Sequence, residues 1–382
     1  MNDKFKIVEI VPALGWGGAQ VFCIQLCNEF ANYPGYEVTL VSLYHHNQNH
    51  LPLSLLDDKV KFISLGKKRG PDPKLFTRVT KLLSQLQPNV VHTHLHAGHY
   101  NLYAALKLKD KSIKKVHTFH NLAKMESPLW IMRRVNNYFF KKNIVTPVTI
   151  SQEAYKTAVH EYGNSVKWLI HNGSVPVKSS EKFEEVKNAI NKLKKDEHTK
   201  VLLNIARISR QKNQQLLLDC MRTLQNEGEN VIALILGDCS VDDKPLYDAL
   251  LKNKPSNVHF IGKVNNVGDY VLNANAFVLS SLFEGLPIAL LETMSAGVIP
   301  VCTPVGGLVD IITNDIGFLS KDVGYESFLA ALKKFLHADE ATLQRMKDNC
   351  LRLYKKEYSM ESCAAKYNEL FVTPTPEGEN KR

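Results

Sequence analysis

Strand-like and helix-like stretches alternate along the whole chain, which predicts an α/β protein built on parallel sheets. Its 382 residues exceed one ordinary domain of about 150 and fit two. A hydrophobic fraction of 44% is enough apolar material for two buried cores.

Composition narrows the function classes. No run of about 18 uncharged apolar residues occurs, so no spanning helix is expected. Met1–Ile10 reads as the approach to a first strand and not as a signal peptide. The 7 cysteines, among them Cys23, Cys27, Cys220 and Cys302, are odd in number, lie in apolar stretches and lack zinc spacing, which suggests reduced, cytosolic thiols. A formal charge of +10 calls for an anionic partner such as nucleotide phosphates, an anionic membrane face or nucleic acid. No zinc-finger, RNA-recognition or helix-turn-helix signature accompanies it, so nucleic acid is set aside.

Taken in order, Ile7–Pro12 reads as a first strand, Gly15-Trp-Gly-Gly-Ala-Gln as a glycine-rich turn and Val21–Phe30 as the helix it opens. Tyr36–Leu43 and Lys61–Ser64 are further strands, and Pro73–Leu86 is a helix. On the next strand, Asn89–His96, the alternation of His92, His94 and His96 puts all three on one face. Zinc, a site role for His94 and plain packing are all open to such a trio. A helix over Leu102–Leu108 leads to the strand Lys114–Leu122, which carries His120 near its end. Trp130–Lys142 is a basic helix with aromatic and aliphatic members, and Pro147–Ser151 is a strand. The charged stretch Lys178–Lys200 reads as solvent-facing and leads into a second domain. That domain opens with the strand Val201–Ala206 and the loop Arg207-Ile-Ser-Arg-Gln-Lys-Asn213. A guanidinium and an ammonium between a strand and a helix suit a diphosphate, Arg207 as a two-pronged donor and Lys212 as a mobile charge. Strands follow at Val231–Gly237, Val258–Val264 and Val298–Thr303, and helices at Tyr325–Leu336, Ala341–Tyr354 and Met360–Phe371. Thr373–Arg382 has the composition of a disordered tail.

The most informative stretch is Asn275–Gly297. Ala276–Ser281 is a short apolar run suited to a buried strand, followed by a loop with Phe283, Glu284 and Gly285. Pro287 stands where a first helical residue belongs and Gly297 just past the last one. Unpaired N–H groups at a helix start attract phosphate, and Glu284 and Glu292 flank this one. That spacing suits one carboxylate on a sugar and the other on a ribose.

Phe283-Glu-Gly-Leu-Pro-Ile-Ala-Leu-Leu-Glu-Thr-Met-Ser-Ala-Gly297, followed by Ile299–Gly307, resembles the E-x7-E signature of retaining glycosyltransferase family 4. The resemblance implies the GT-B architecture, two Rossmann-like domains facing each other across a cleft. It places an N-terminal acceptor-side domain at 1–172, a nucleotide-sugar-binding domain at 173–357, and a last helix at about 358–372 packing back onto the first. It is strongest after residue 200. It implies donor contacts from Gly17 and Gly18, Arg207 and Lys212, Val264 at the base-binding strand end, and Glu284, Gly285, Leu286 and Glu292. His94 falls on the acceptor side, and His120 where the family's V-x-T-x-H-D pattern places a histidine near the reacting sugar. The chain departs from the family at Asn121, where the pattern has an aspartate, at Ala206 and Asn213, where it has glycines, at Ser174-Val175 in the Asn-Gly-x-Asp turn, and at Asp310, where it has a glutamate.

The implied chemistry is transfer of a sugar from a nucleoside diphosphate, UDP by preference, to a glycan or lipid-linked hydroxyl. Catalysis would rest on His120, Glu284, Arg207 and Lys212. No Asp-x-Asp triplet is present, and Asp242-Asp243 is adjacent, so fixed cations are expected in place of a metal or other cofactor. A catalytically silent nucleotide-sugar binder or partner-activating protein of the same fold is the alternative. Arg133, Arg134, Lys141 and Lys142, with Lys67, Lys68 and Arg69 and the basic run Lys107–Lys115, suggest a cytoplasmic protein leaning on an anionic membrane surface.

Overall fold

The computed structural model describes residues 4–15, 17–47, 52–68, 70, 72–107 and 113–373. Trp16, Arg69, the stretch 108–112 and the tail from 374 onward lie outside the described residues. The chain forms two compact units. The first comprises the residues up to Ser174 and those from Met360, the second Val175–Ser359. The division falls two residues beyond each of the positions read from the sequence.

The first unit is a parallel sheet of β1 (Phe5–Val11), β2 (Tyr36–Tyr44), β3 (Lys61–Lys67), β4 (Val90–His94), β5 (Lys114–Phe119), β6 (Thr146–Thr149) and β7 (Trp168–Leu169). Their order is β3-β2-β1-β4-β5-β6-β7. The order reverses between β1 and β4, the switch point where α/β sheets bind ligands. A parallel sheet covered on both faces requires nearly continuous apolar strands. β1 meets this with Ile7, Val8, Ile10 and Val11 all buried, and departs from it at Glu9, which is buried as well. Val8, Ile10, Val41, Leu43, Val79, Leu83 and Val91 form one core layer, and Phe119, Phe139, Phe140 and Tyr162 form another. The helix Met360–Val372 belongs to this unit and packs on the helix Gly18–Ala31 through Phe22 with Tyr367 and Phe30 with Phe371.

The second unit is a parallel sheet of β8 (Lys200–Ile205), β9 (Val231–Leu236), β10 (Val258–Gly262), β11 (Ala276–Leu279), β12 (Ile299–Cys302) and β13 (Phe318–Leu319). Its order, β10-β9-β8-β11-β12-β13, puts the switch point between β8 and β11. Leu202, Met221, Ala233, Ile235, Val278, Val301, Phe328, Leu332 and Phe335 fill its core. Both units therefore have the Rossmann-like strand order expected from the sequence.

Three local expectations change. Within Lys178–Lys200 lies a helix, Phe183–Leu193, held down by buried Val186 and Ile190, so the stretch is not wholly solvent-facing. A helix over Gln152–Tyr162, capped by the Ser151 hydroxyl accepting from the Ala154 amide at 3.2 Å, had no counterpart in the sequence reading. Pro287 is not the first helical residue but the extended cap (ψ 123°) of the seven-residue helix Ile288–Met294.

Candidate active site

Arg207 and Lys212 leave β8, and Glu284 leaves β11, on the two sides of the switch point. The two loops are fastened along their length. The Leu282 amide donates to the Gln211 carbonyl at 2.8 Å, and the Gln211 side-chain amide to the Phe283 carbonyl at 2.9 Å. The Ser280 hydroxyl lies 3.1 and 2.9 Å from the carbonyls of Lys212 and Asn213. Asn213 has φ 48°, a left-handed conformation that asparagine tolerates better than other non-glycine residues. That is how this chain dispenses with the family's glycine there.

Lys212 and Glu284, assigned separate tasks from the sequence, form an ion pair with Nζ to Oε1 at 2.6 Å. The same oxygen accepts from the Ser281 hydroxyl at 2.5 Å. The Glu284 side chain is only 6% exposed and that of Lys212 19%, so the pair is largely shielded from solvent. Arg207 is exposed and its side chain makes no hydrogen bond or ion pair among the described residues, while its carbonyl accepts from the side-chain amide of the buried Gln214 at 3.1 Å. The site thus presents one uncommitted guanidinium and one ammonium already neutralised by the carboxylate beside it.

Gly306 and Gly307 support the Glu284 loop from below. The Gly307 amide donates to the Gly285 carbonyl at 2.6 Å. A Cβ at Gly306, whose φ is +55°, would lie 2.1 Å from the Glu284 carbonyl oxygen. One at Gly307 would lie 2.8 Å from that of Gly285. Leu286 is buried behind this turn, and Val264, half-buried, follows the end of β10. Glu292 is half-buried, with no side-chain hydrogen bond among the described residues. Burial pushes its carboxyl up to about 7. Asp310 lies in the short helix Gly307–Ile311.

In the first unit, the structure separates residues that the sequence grouped. β4 ends at His94, Leu95 takes φ 53°, and His96 is exposed in the turn, so His96 does not share the face of His92 and His94. Gly17 is extended (φ −162°) and Gly18 begins a helix, conformations open to any residue. A Cβ on Gly17 would crowd only the mobile end of Gln20.

His94 and His120 are brought together, His94 Nδ1 and His120 Nε2 being 2.9 Å apart. Both are buried, and Phe22 packs edge-on to the His120 ring at 5.7 Å. Burial, reinforced by neighbouring histidines, lowers His120 well below the usual imidazole range. Burial and His92 hold His94 at about 4, although Glu9 pulls the other way.

Two carboxylates here were missed in the sequence. Glu9 holds His94 Nε2 at 2.7 Å and His92 Nδ1 at 3.1 Å. Its signal was a lone acid in the otherwise apolar run Ile7–Val11. Glu126 is the second, bound to the backbone beside His120. Its Oε2 accepts the backbone N–H groups of His120 and Asn121, both at 3.1 Å, and does not touch the ring. Burial pushes it up to about 8, against the pull of those two bonds. Cys23, His94 and His120, and Glu9, His92 and His94, each bring three donor atoms within 4.8 Å of one another. The ring nitrogens facing one another in these groups already share hydrogen bonds, so a cation would have to displace protons.

Of the basic residues read as a surface patch, Lys68, Arg134, Lys141 and Lys142 are exposed. Arg133 is spent within the fold on Glu161, at 2.8 Å, and on the carbonyls of Ser127 and Pro128. Lys67 is buried over the Tyr44 ring and donates to the carbonyls of Lys68 and Gly70, and Lys114 and Lys115 are buried too. No helix among the described residues is long and apolar enough to cross a membrane.

Comparison with known proteins agrees with this geometry. Residues 16–174 match the family model described as Glycosyltransferase Family 4, and 185–351 that described as Glycosyl transferases group 1. An uncharacterized glycosyltransferase of Haemophilus influenzae is 25% identical, over 90% of this chain and 93% of its own. An Escherichia coli UDP-Gal:alpha-D-GlcNAc-diphosphoundecaprenol alpha-1,3-galactosyltransferase is 24% identical over 97% of both chains. Among solved structures, Anabaena HepE in complex with UDP and glucose superposes with a TM-score of 0.77 at 14% identity, covering 96% of this chain and 99% of its own. The two sheets, the loop pair joined at their switch point and the two family matches lead to one conclusion: the chain belongs to glycosyltransferase family 4 and is a glycosyltransferase of the GT-B fold.

Proposed function

We propose that the protein transfers a hexosyl group, with retention, from a UDP-sugar to a hydroxyl of a lipid-linked or glycan acceptor in surface polysaccharide synthesis, without a metal ion. The observation that carries this reading is the shielded Lys212–Glu284 pair beside the uncommitted guanidinium of Arg207. As the glycosidic bond breaks, negative charge grows on the leaving phosphate. Arg207 meets it directly, and Lys212 shifts from the carboxylate toward it. Glu284, relieved of part of its counterion, turns its acceptor capacity to the hydroxyls of the transferred sugar. Glu292 supplies the ribose contact. Its carboxyl ionises as two hydroxyls donate to it, since those bonds offset the burial that pushes it to about 7 in the free protein. Retention without a protein nucleophile is best accommodated by front-face displacement, with His120 near the reacting sugar.

The relatives support the substrate class. The E. coli galactosyltransferase acts on a diphosphoundecaprenol-linked sugar by its description, as does a Campylobacter jejuni N-acetylgalactosaminyltransferase that is 25% identical over 86% of this chain. HepE binds UDP-glucose. Attachment to a cytoplasmic membrane face would use the outer side of the helix Trp130–Lys141. There Trp130 and Ile131, 62% and 50% exposed, stand with Arg134, Lys141 and Lys142.

A thermal-shift panel of nucleotide sugars tests the donor. A ligand at about 100 times its dissociation constant adds roughly 2.7 kcal/mol of stability. Glu292→Ala should weaken binding of the bare nucleoside diphosphate, and binding equal to the parent's sinks the ribose assignment. Full loss of transfer in EDTA, restored by manganese or magnesium, sinks the metal-free mechanism.

A further inference from the structure

Glu9 is a fully buried carboxylate in a central strand, set by the sheet register opposite His92. Hydrogen bonds run from it in two directions. On one side Oε2 meets His94 Nε2 at 2.7 Å, and His94 Nδ1 meets His120 Nε2 at 2.9 Å. On the other, His92 Nδ1 lies 3.1 Å from Oε1 and 3.0 Å from Oε2, His92 Nε2 meets Thr118 Oγ1 at 2.8 Å, and Thr118 Oγ1 meets the Tyr367 hydroxyl at 2.8 Å. Six side chains from β1, β4, β5, the residue just past β5 and the last helix make one continuous buried chain.

The partners of each atom assign its protons. Burial would raise Glu9, but His92 and the bonds from both histidines hold it at about 2, so it is ionised and only accepts. His94 must therefore donate from Nε2. As a neutral ring it then accepts at Nδ1, which obliges His120 to donate from Nε2 and leaves a lone pair on His120 Nδ1. On the other arm His92 donates from Nδ1, and its Nε2 faces the Thr118 hydroxyl, which also meets that of Tyr367. Along the His94–His120 arm every contact pairs a donor with an acceptor. Phe22, Cys23, His117 and Phe371 also face these rings.

We propose that Glu9 is a positioning residue that locks His120 in the Nε2–H tautomer, so that the ring offers its Nδ1 lone pair to a hydroxyl of the bound sugar. Nδ1 has no partner among the described residues. In this state it takes a hydrogen bond from a hydroxyl and cannot donate one to a carbonyl or phosphate oxygen. The ligand it serves rests on the sugar-transfer reading above. The tautomer does not, because it is a property of the ligand-free protein.

Two-bond nitrogen–proton correlation spectra of the full chain, labelled with nitrogen-15 and free of substrate at pH 7.5, read the three rings directly. The expected result is Nε2–H for His94 and His120 and Nδ1–H for His92. His120 found in the Nδ1–H form, or doubly protonated, overturns the proposal. Glu9→Gln replaces one acceptor oxygen with a donor, and because His92 Nδ1 lies beside both oxygens it meets that donor in either placement of the amide, so at least the His92 arm should reverse. A folded Glu9→Gln protein in which all three rings keep the parent tautomers overturns it too. Tyr367→Phe, which lies beyond Glu9, should leave His120 unchanged. Where transfer is measurable, Glu9→Gln molecules with a reversed His120 should lose about tenfold in kcat with the donor KM little altered. Stoichiometric zinc in the purified protein also overturns it, since a metal between Cys23, His94 and His120 would take the place of the shared proton.

Discussion

Glu126 is placed to make the first unit sensitive to pH within the neutral range. Its Oε2 fixes the backbone of His120 and Asn121, and its Oε1 is buried with no hydrogen-bond partner among the described residues. Because burial raises the carboxyl from an ordinary 4.5 to about 8, the folded protein holds this proton more tightly than the unfolded chain does. The stabilisation is complete below the unfolded pKa and is lost progressively as pH rises through the folded value. At about 1.4 kcal/mol per pKa unit, the loss between pH 4.5 and pH 8 has a ceiling of roughly 5 kcal/mol. Glu126→Gln keeps an oxygen for the two backbone donors and removes the titration. The variant and the parent should therefore converge in stability near pH 4.5 and separate steadily above it, the variant being the more stable at pH 8. Melting temperatures of both proteins from pH 4.5 to 8.5 measure the separation, with all other titrating groups common to the two. A constant offset across that range would show that Glu126 titrates as an ordinary glutamate and that the argument from burial is wrong.

Other perturbations follow from the loop pair. Lys212→Ala strips the counterion from a carboxylate that is 6% exposed and should cost about 3 kcal/mol; adding Glu284→Gln should recover most of it. Strictly additive unfolding energies in that double-mutant cycle would mean the two side chains are independent. Gly306→Ala must move the Glu284 backbone, because its Cβ would fall 2.1 Å from that carbonyl oxygen at a left-handed φ. A loss of about 1–3 kcal/mol and a sharp fall in transfer are expected. Parental melting and turnover in Gly306→Ala would refute the supporting role of the Gly306-Gly307 loop.

The parts of the fold legible in sequence were those in which burial dictates composition. Strands such as β9 and β11, enclosed on both faces, are written almost wholly in Val, Ile, Leu, Ala and Phe, and the helix Tyr325–Leu336 carries its full apolar stripe. The helix Phe183–Leu193 escaped because two buried residues, Val186 and Ile190, suffice to hold it. Arg207, Lys212, Glu284 and Glu292 were singled out in the sequence by a family resemblance and by their places between strand and helix. The ion pair between Lys212 and Glu284 was not, since it joins residues that only the β8–β11 neighbourhood brings together. Glu9 was passed over for a related reason. Its partners His92 and His94 lie on another strand, and register is a property of the sheet. Arg133 and Lys67 were counted as free charges because composition does not reveal which cations the fold consumes.

Tyr367 and Phe371 belong to a segment that leaves the ribosome only after the entire second unit. Until then the helix Gly18–Ala31 lacks the covering for Phe22 and Phe30, and His92 lacks the ring stacked 4.9 Å from it. At about 5–20 residues per second, translation keeps that face waiting for tens of seconds or less, while the second unit, continuous in sequence, can close first. The order of maturation is thus the reverse of the order of synthesis. The nascent first unit carries an apolar flank that a holding chaperone could occupy, and a ribosome stalled near residue 359 would expose it.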